Sequence, residues 1–345
     1  MTAHGPAKRN ETEFSFSESI RHFRAVPAVI SAEHFQQKAL IAVQCPEAHI
    51  PTRETTLIII FSVMKRMDKV PVYDNHLHMS PSGRNVDALM DFKKAGGTGL
   101  TLITLPYEEV PITKGEDFAK SYEITYRLAA LAEEKTGLEI NIAVGPYPLL
   151  LMKLAGEGYS VEKAEAILMR GMEDAGKAVA EGKACAIGEV GRPHFECDPA
   201  IREACNRVLS YGMELAKENS CPIIIHCESG TTETNRNLSN MARAVGLDPG
   251  LVVKHSSPPF VTLEETYGVM PSIPASKKLI KQALAKDTDR FMIETDYIDD
   301  LVRPGAVMAV NTVPNKVTWM LGSGVATEEQ VCRICGDIPN SLYRR

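Results

Sequence analysis

His76 and His78 stand one residue apart in "PVYDNHLHM", at the polar end of an apolar run. In a strand, residues i and i+2 leave the same face, so both imidazoles would point the same way. Of nine histidines, His4, His22, His34 and His49 fall early in the chain; the others are His76, His78, His194, His226 and His255. His226 ends the run "CPIIIH" and His255 ends "LVVKH", while Glu189 ends "ACAIGE" and Asp296 ends "RFMIETD". Scattered core histidines would not gather at the same end of successive apolar runs. Four imidazoles and two carboxylates suit one or two divalent ions, zinc or manganese first and magnesium also, more than calcium. Such an ion brings the pKa of bound water to about 7, so the chemistry is hydrolysis, with Asp296 placed to take the proton. Glu294, two residues earlier on the same face, would orient a ligand histidine or, equally, pair with a core cation.

These side chains need a scaffold that brings distant strand ends together. From Val70 onward, apolar runs alternate with helical patterns: "VPVYDNHLHM", "GLTLITLP", "LEINIAVG", "ACAIGEVG", "CPIIIHCE", "GLVVKHSS", "YGVMPSIP" and "RFMIETDYI". The seventh is the weakest. Nearly continuous apolar runs mean strands buried on both faces, as in a parallel sheet. Eight such units over roughly 250 residues predict an α/β fold, a TIM (β/α)8 barrel, whose active site lies at the C-terminal ends of its strands. An open doubly wound sheet is the alternative, but no glycine-rich loop follows the first strand. "AGGTG" precedes a strand and reads as a helix stop.

The 345 residues are 44% hydrophobic and 24% charged with net charge −6, a balance that gives no overall reason to bind nucleic acid or an anionic membrane. The longest dense apolar run, "LIIIFSVM", is far short of the ~20 residues that span a bilayer. Eight cysteines without a zinc-like second pair read as reduced thiols in the cytoplasm, with Cys332 and Cys335 packed on one helix and Cys227 in the core. Residues 1–66 lack the later rhythm and are expected to be a dispensable extension, untranslated if Met64 or Met67 is the start, or an arm that caps the barrel or joins subunits. Residues 67–345 would be one barrel domain.

The motifs "DNHLHM", "AIGEVG", "PIIIHCES", "KHSS" and "FMIETDYI", in that order, resemble the TatD-like metal-dependent hydrolases of the amidohydrolase superfamily. The resemblance spans residues 70 to about 340. It implies that His76 and His78 hold one metal ion, that His226 and His255 hold a second, that Glu189 bridges or ligates, and that Asp296 ligates and acts as base. It also implies phosphodiester cleavage. "GRPHF" and "SSPPF" depart from the family's usual segments, so substrate contacts do not carry over. Arg192 and His194 are the residues to contact a phosphate or carboxylate, or else to pair with an acid and face solvent; Tyr107 and Tyr147 would line the mouth. Lys254 would form an outer salt bridge. The loops offer Arg84, Lys114, Arg192, Arg236 and Arg303 against more numerous acids, among them Glu108, Glu196, Glu228, Glu233, Asp299 and Asp300. A groove that tracks DNA carries an excess of cations. The expected substrate is therefore a small phosphoester, a nucleotide or a nucleic-acid end, with no stable nucleic-acid partner. A carboxyl ester or amide is the rival substrate, and a non-catalytic metal-holding barrel the rival function.

Overall fold

A computed structural model describes residues 70–286, 288–302 and 307–343. The expectations for residues 1–66 and for Arg303 lie outside these described residues. Nine parallel strands form one sheet: β1 (Tyr73–His78), β2 (Gly99–Ile103), β3 (Glu139–Val144), β4 (Ala186–Gly191), β5 (Ile223–His226), β6 (Val252–Lys254), β7 (Met270–Pro274), β8 (Met292–Glu294) and β9 (Tyr297–Ile298). Neighbours pair in chain order from β1 to β8, and β9 pairs with β1. Only Thr295 and Asp296 separate β8 from β9, so one segment pairs with β7 through its first half and with β1 through its second. That closes the barrel, and the weak seventh run is a strand within it.

The eighth expected strand is thus two short ones. Asp296 has φ 51°, in the left-handed region, which ends the extended run. The Asp74 carboxylate accepts from Thr295 N (2.9 Å) and Thr295 Oγ1 (2.7 Å), and Asp296 N donates to the His76 carbonyl at 2.9 Å. A side chain thereby bridges the gap in the backbone ladder.

Helices cover the outside: α1 (Val86–Lys94), α2 (Asp117–Thr136), α3 (Leu149–Gly156), α4 (Val161–Ala180), α5 (Pro199–Glu218), α6 (Thr232–Val245), α7 (Leu263–Thr266), α8 (Lys277–Leu284), α9 (Thr312–Ser323), α10 (Glu328–Cys332) and α11 (Ile338–Tyr343). Their starts follow local chemistry. Asp198 caps α5 by accepting from Ala200 N at 2.8 Å, with Pro199 in the first turn, and Thr231 caps α6 by accepting from Thr234 N at 3.0 Å. One face of α5, including Ala204, Cys205, Val208, Leu209 and Met213, packs with Ile187, Ile223 and Ile225. Burying each large side chain contributes about 1.5–3 kcal/mol. Ile224, Ala143, Ala186 and Val253 belong to a different cluster, so the strands are apolar on both faces as their sequences require. Cys227 and Cys335 are buried and unpaired. Among the described residues no helix is long and apolar enough to cross a membrane.

Two slips in register aim the chemistry. Strict alternation would put Ile187 and Val190 on opposite faces of β4, yet both pack in the same helix-facing cluster. The β4–β5 register shifts between them, which turns Glu189 inward. In β1, Tyr73 hydrogen-bonds Thr101 at 2.8 Å, whereas Leu77 packs on the opposite face of β2 with Leu100 and Leu102. The shift there falls between Asp74 and Leu77, immediately around the first histidine.

Candidate metal centre

His76 and His78, at the end of β1, bring their Nε2 atoms to 3.2 Å. His78 Nδ1 lies 3.1 Å from the Ile103 carbonyl, which can only accept, so Nδ1 carries the proton and Nε2 turns a lone pair toward His76. Asp296 Oδ1 stands 3.5 Å from His78 Nε2 and 3.7 Å from His76 Nε2; the left-handed turn aims it there. On the other side, His226 Nδ1 and His255 Nε2 are 3.2 Å apart. Glu189 lies between the two pairs. Its Oε1 is 2.6 Å from His226 Nδ1 and 2.9 Å from His255 Nε2, and its Oε2 is 3.9 Å from His76 Nε2. The six side chains named from the sequence converge: five of them form two triads that share Glu189, His76–His78–Glu189 and Glu189–His226–His255, Asp296 stands against the first, and His76, His255 and Glu294 make a third close group.

Burial pushes the Glu189 carboxyl up, but the imidazoles of His255 and His226 outweigh it and hold it well below the usual range. Asp296 behaves alike: burial raises it, and His78, with the charges of His76 and His255, carries it lower. For His76 burial wins, helped by His255, and the ring is held well below an ordinary histidine. His255 goes the other way: burial lowers it, while Glu189 and Glu294 bring it up to about 10. The cluster is thus rich in acceptors at close range, and His76 Nδ1 is buried without a hydrogen-bond partner. Ligands ~2.1 Å from a shared tetrahedral ion stand ~3.4 Å from one another. The ligand-atom separations of 2.6–3.9 Å bracket that spacing, so the residues fit a metal.

Glu294 reaches His255 Nδ1 at 3.4 Å and accepts from Ser256 N at 2.6 Å. Its other oxygen accepts from Ser272 Oγ. The chain of hydrogen bonds goes on: Asn75 Nδ2 donates to Ser272 Oγ at 2.9 Å, and Tyr343 Oη donates to Asn75 Oδ1 at 2.8 Å. The hydrogen bonds run from α11 to Glu294, whose ion-pair contact then reaches a histidine of the cluster, and the sequence carried no signal for it beyond Asn75 lying in "DNHLH".

Arg192 and His194 sit differently from one another. Arg192 is buried, and its guanidinium donates to Glu228 through Nε (3.0 Å) and Nη2 (2.8 Å), and to Asn206 and Asn237 through Nη1 (3.0 Å each). Four of its five donors are therefore held within the protein wall, with Arg202 also 3.2 Å from Glu228. Gly191 makes this possible: at φ 148° a Cβ would lie 1.9 Å from the His226 carbonyl, the atom that accepts Arg192 N. His194 is exposed, but its Nδ1 lies 3.0 Å from His226 Nε2. Lys254 is not an outer salt bridge: it is buried, and its Nζ donates to the His255 carbonyl. Tyr107 is buried against Thr125. Tyr147 is half-buried with its ring edge toward His226; burial, then the charges of Glu189 and Asp296, push its phenol above the ordinary range. Of the mouth cations, Arg84 pairs with Asp91, Arg192 with Glu228 and Arg236 with Glu233.

A parallel barrel whose strand ends gather four imidazoles around a central carboxylate defines the class of metal-dependent hydrolases of the amidohydrolase superfamily. The chain belongs within that class to the family described as TatD related DNase, which it matches over residues 73–344. It is 36% identical to the uncharacterized protein MJ1127 of Methanocaldococcus jannaschii over 283 residues, 81% of this chain and 98% of that one. Solved structures share the fold: YjjV, a TatD homologue from Escherichia coli (19% identity, TM-score 0.53, 79% of this chain and 98% of that one), and an organophosphorus hydrolase from Deinococcus radiodurans (16% identity, TM-score 0.53, 80% and 93%).

Proposed function

We propose that this member of the family hydrolyses phosphoester bonds of small substrates, a phosphoester, a nucleotide or a nucleic-acid end, using two divalent ions. The observation that carries the reading is the division of Glu189, one oxygen toward each histidine pair. His76, His78 and Asp296 would hold one ion, and His226 and His255 the other, with Glu189 between them. Zinc, manganese or magnesium there would supply Lewis acidity, and zinc would bring the pKa of water to about 7. The chain does the rest. Asp296, kept ionised despite burial, accepts the proton of the attacking water. Glu294 fixes the His255 ring, and His194 holds His226 so that Nδ1 faces Glu189. Arg192 positions the mouth loops instead of touching substrate, because its donors already have acceptors.

Three of the mouth cations, Arg84, Arg192 and Arg236, are already paired with acids, which supports a small substrate over a long polyanion, since the latter needs free lysine and arginine to displace counterions. The free thiols of Cys197, Cys205, Cys227, Cys332 and Cys335 suit a reducing compartment, and we place the protein in the cytoplasm. Elemental analysis followed by stripping and ion-by-ion reconstitution tests the site. Bis-p-nitrophenyl phosphate against p-nitrophenyl acetate tests the bond. Faster metal-dependent turnover of the phosphodiester is expected; hydrolysis of the acetate alone would transfer the site to carboxyl esters, and no turnover with bound metal would leave a binding barrel.

A further inference from the structure

Every fully buried tyrosine of the described chain has a partner for its hydroxyl. Tyr73 bonds Thr101, Tyr107 bonds Thr125, Tyr122 donates to the Gly171 carbonyl, Tyr297 to Asp299 and Tyr343 to Asn75. Tyr147 has none among the described residues, although its ring packs against His226 of the cluster. Its ring centroid is 5.7 Å from that of His226, with the planes at 67°. The backbone there is stiff. Pro146 and Pro148 flank it with φ fixed, and the Tyr147 carbonyl accepts from Leu150 N at 3.1 Å as α3 begins. A ring so held, just past the end of β3 and edge-on to His226, carries a hydroxyl with no partner among the described residues. Tyr126, Tyr159, Tyr211 and Tyr267 are also partly exposed, but they lie on or beside the outer helices, away from the strand ends.

We infer that Tyr147 is a catalytic residue whose phenol donates a hydrogen bond to the substrate oxygen that gains negative charge when water adds. This rests on the hydrolase reading above. The phenol keeps its proton throughout, so no bond to it forms or breaks. Its contribution is a preorganised dipole that needs no reorientation at the moment of reaction. The same donor would serve a phosphoryl oxygen or the oxyanion of a carboxyl ester, so it does not depend on which bond is cleaved.

Tyr147→Phe keeps the ring against His226 and removes only the donor. With bis-p-nitrophenyl phosphate or p-nitrophenyl acetate, whichever the parent protein turns over, kcat should fall about 10²-fold, with KM changed far less and bound metal unchanged. A kcat within about twofold of the parent, or a loss that tracks lost metal, overturns the assignment. Binding of orthovanadate to the metal-loaded proteins reads the same contact without turnover, and the variant should bind about tenfold more weakly. Should the parent hydrolyse neither ester, the hydrolase reading fails by itself, and the vanadate comparison decides Tyr147: equal affinity in the two proteins refutes the contact.

Discussion

Two buried polar groups lie side by side at the strand ends of β4 and β5, and they are built on opposite rules. Around Arg192, donors and acceptors balance: a guanidinium meets one carboxylate and two amide oxygens at 2.8–3.0 Å. Around Glu189, acceptors crowd one another, with imidazole nitrogens 3.2 Å apart and carboxylate oxygens among them. Buried polar groups are stable when satisfied. The first group is complete as it stands and reads as architecture. The second is complete only with added positive charge, as protons or as metal. That difference separates a wall from a working site more surely than residue type does, since both contain the residues one would pick for chemistry.

The contrast can be broken in order of effect. Asp296→Asn should cut turnover by about 10²–10⁴-fold with the fold intact, measured as kcat beside circular dichroism. Arg192→Met should do the reverse: metal content and the histidine cluster survive, but stability falls by about 3 kcal/mol in urea unfolding, because Glu228 loses its buried partner and keeps only Arg202. The pH dependence sharpens this. Burial raises the Glu228 carboxyl, but Arg192 holds it below its ordinary 4.5, so the stability it contributes is present above pH ~4.5 and is lost as pH falls through the folded value. The gap between parent and Arg192→Met should therefore close in acid. Ion at about 100 times its Kd should raise the stripped protein's stability by about 2.7 kcal/mol, seen as a higher Tm, and Asp296→Asn should reduce that gain. Glu294→Gln should weaken metal binding about 10–100-fold by titration calorimetry while activity recovers at saturating ion.

The balance between donors and acceptors was not legible in the sequence, although much of the scaffold was. Apolar runs such as "CPIIIH" announce strands buried on both faces, and barrel closure then dictates that His76, His226, His255, Glu189 and Asp296 meet. Partners brought together by closure alone leave no local mark: Asn206 and Asn237 lie 14 and 45 positions from Arg192, and Tyr343 lies 268 from Asn75. The register slips in β1 and β4 also escape a period-two reading, because a slip is a property of a pair of strands and not of either one. The split of the last strand escapes it for another reason: "RFMIETDYI" is apolar enough to run straight through, and only the Asp74 side chain across the gap makes the kink at Asp296 stable.

The file of polar contacts from Tyr343 through Asn75, Ser272 and Glu294 to His255 gives the terminal helix a mechanical link to the heart of the molecule. Peeling that helix away would unseat Asn75 first and slacken an imidazole more than one turn of chain distant. Ion release and C-terminal fraying would then draw on the same free energy, and loading the centre should slow amide exchange across residues 338–343 while leaving α4 unaffected.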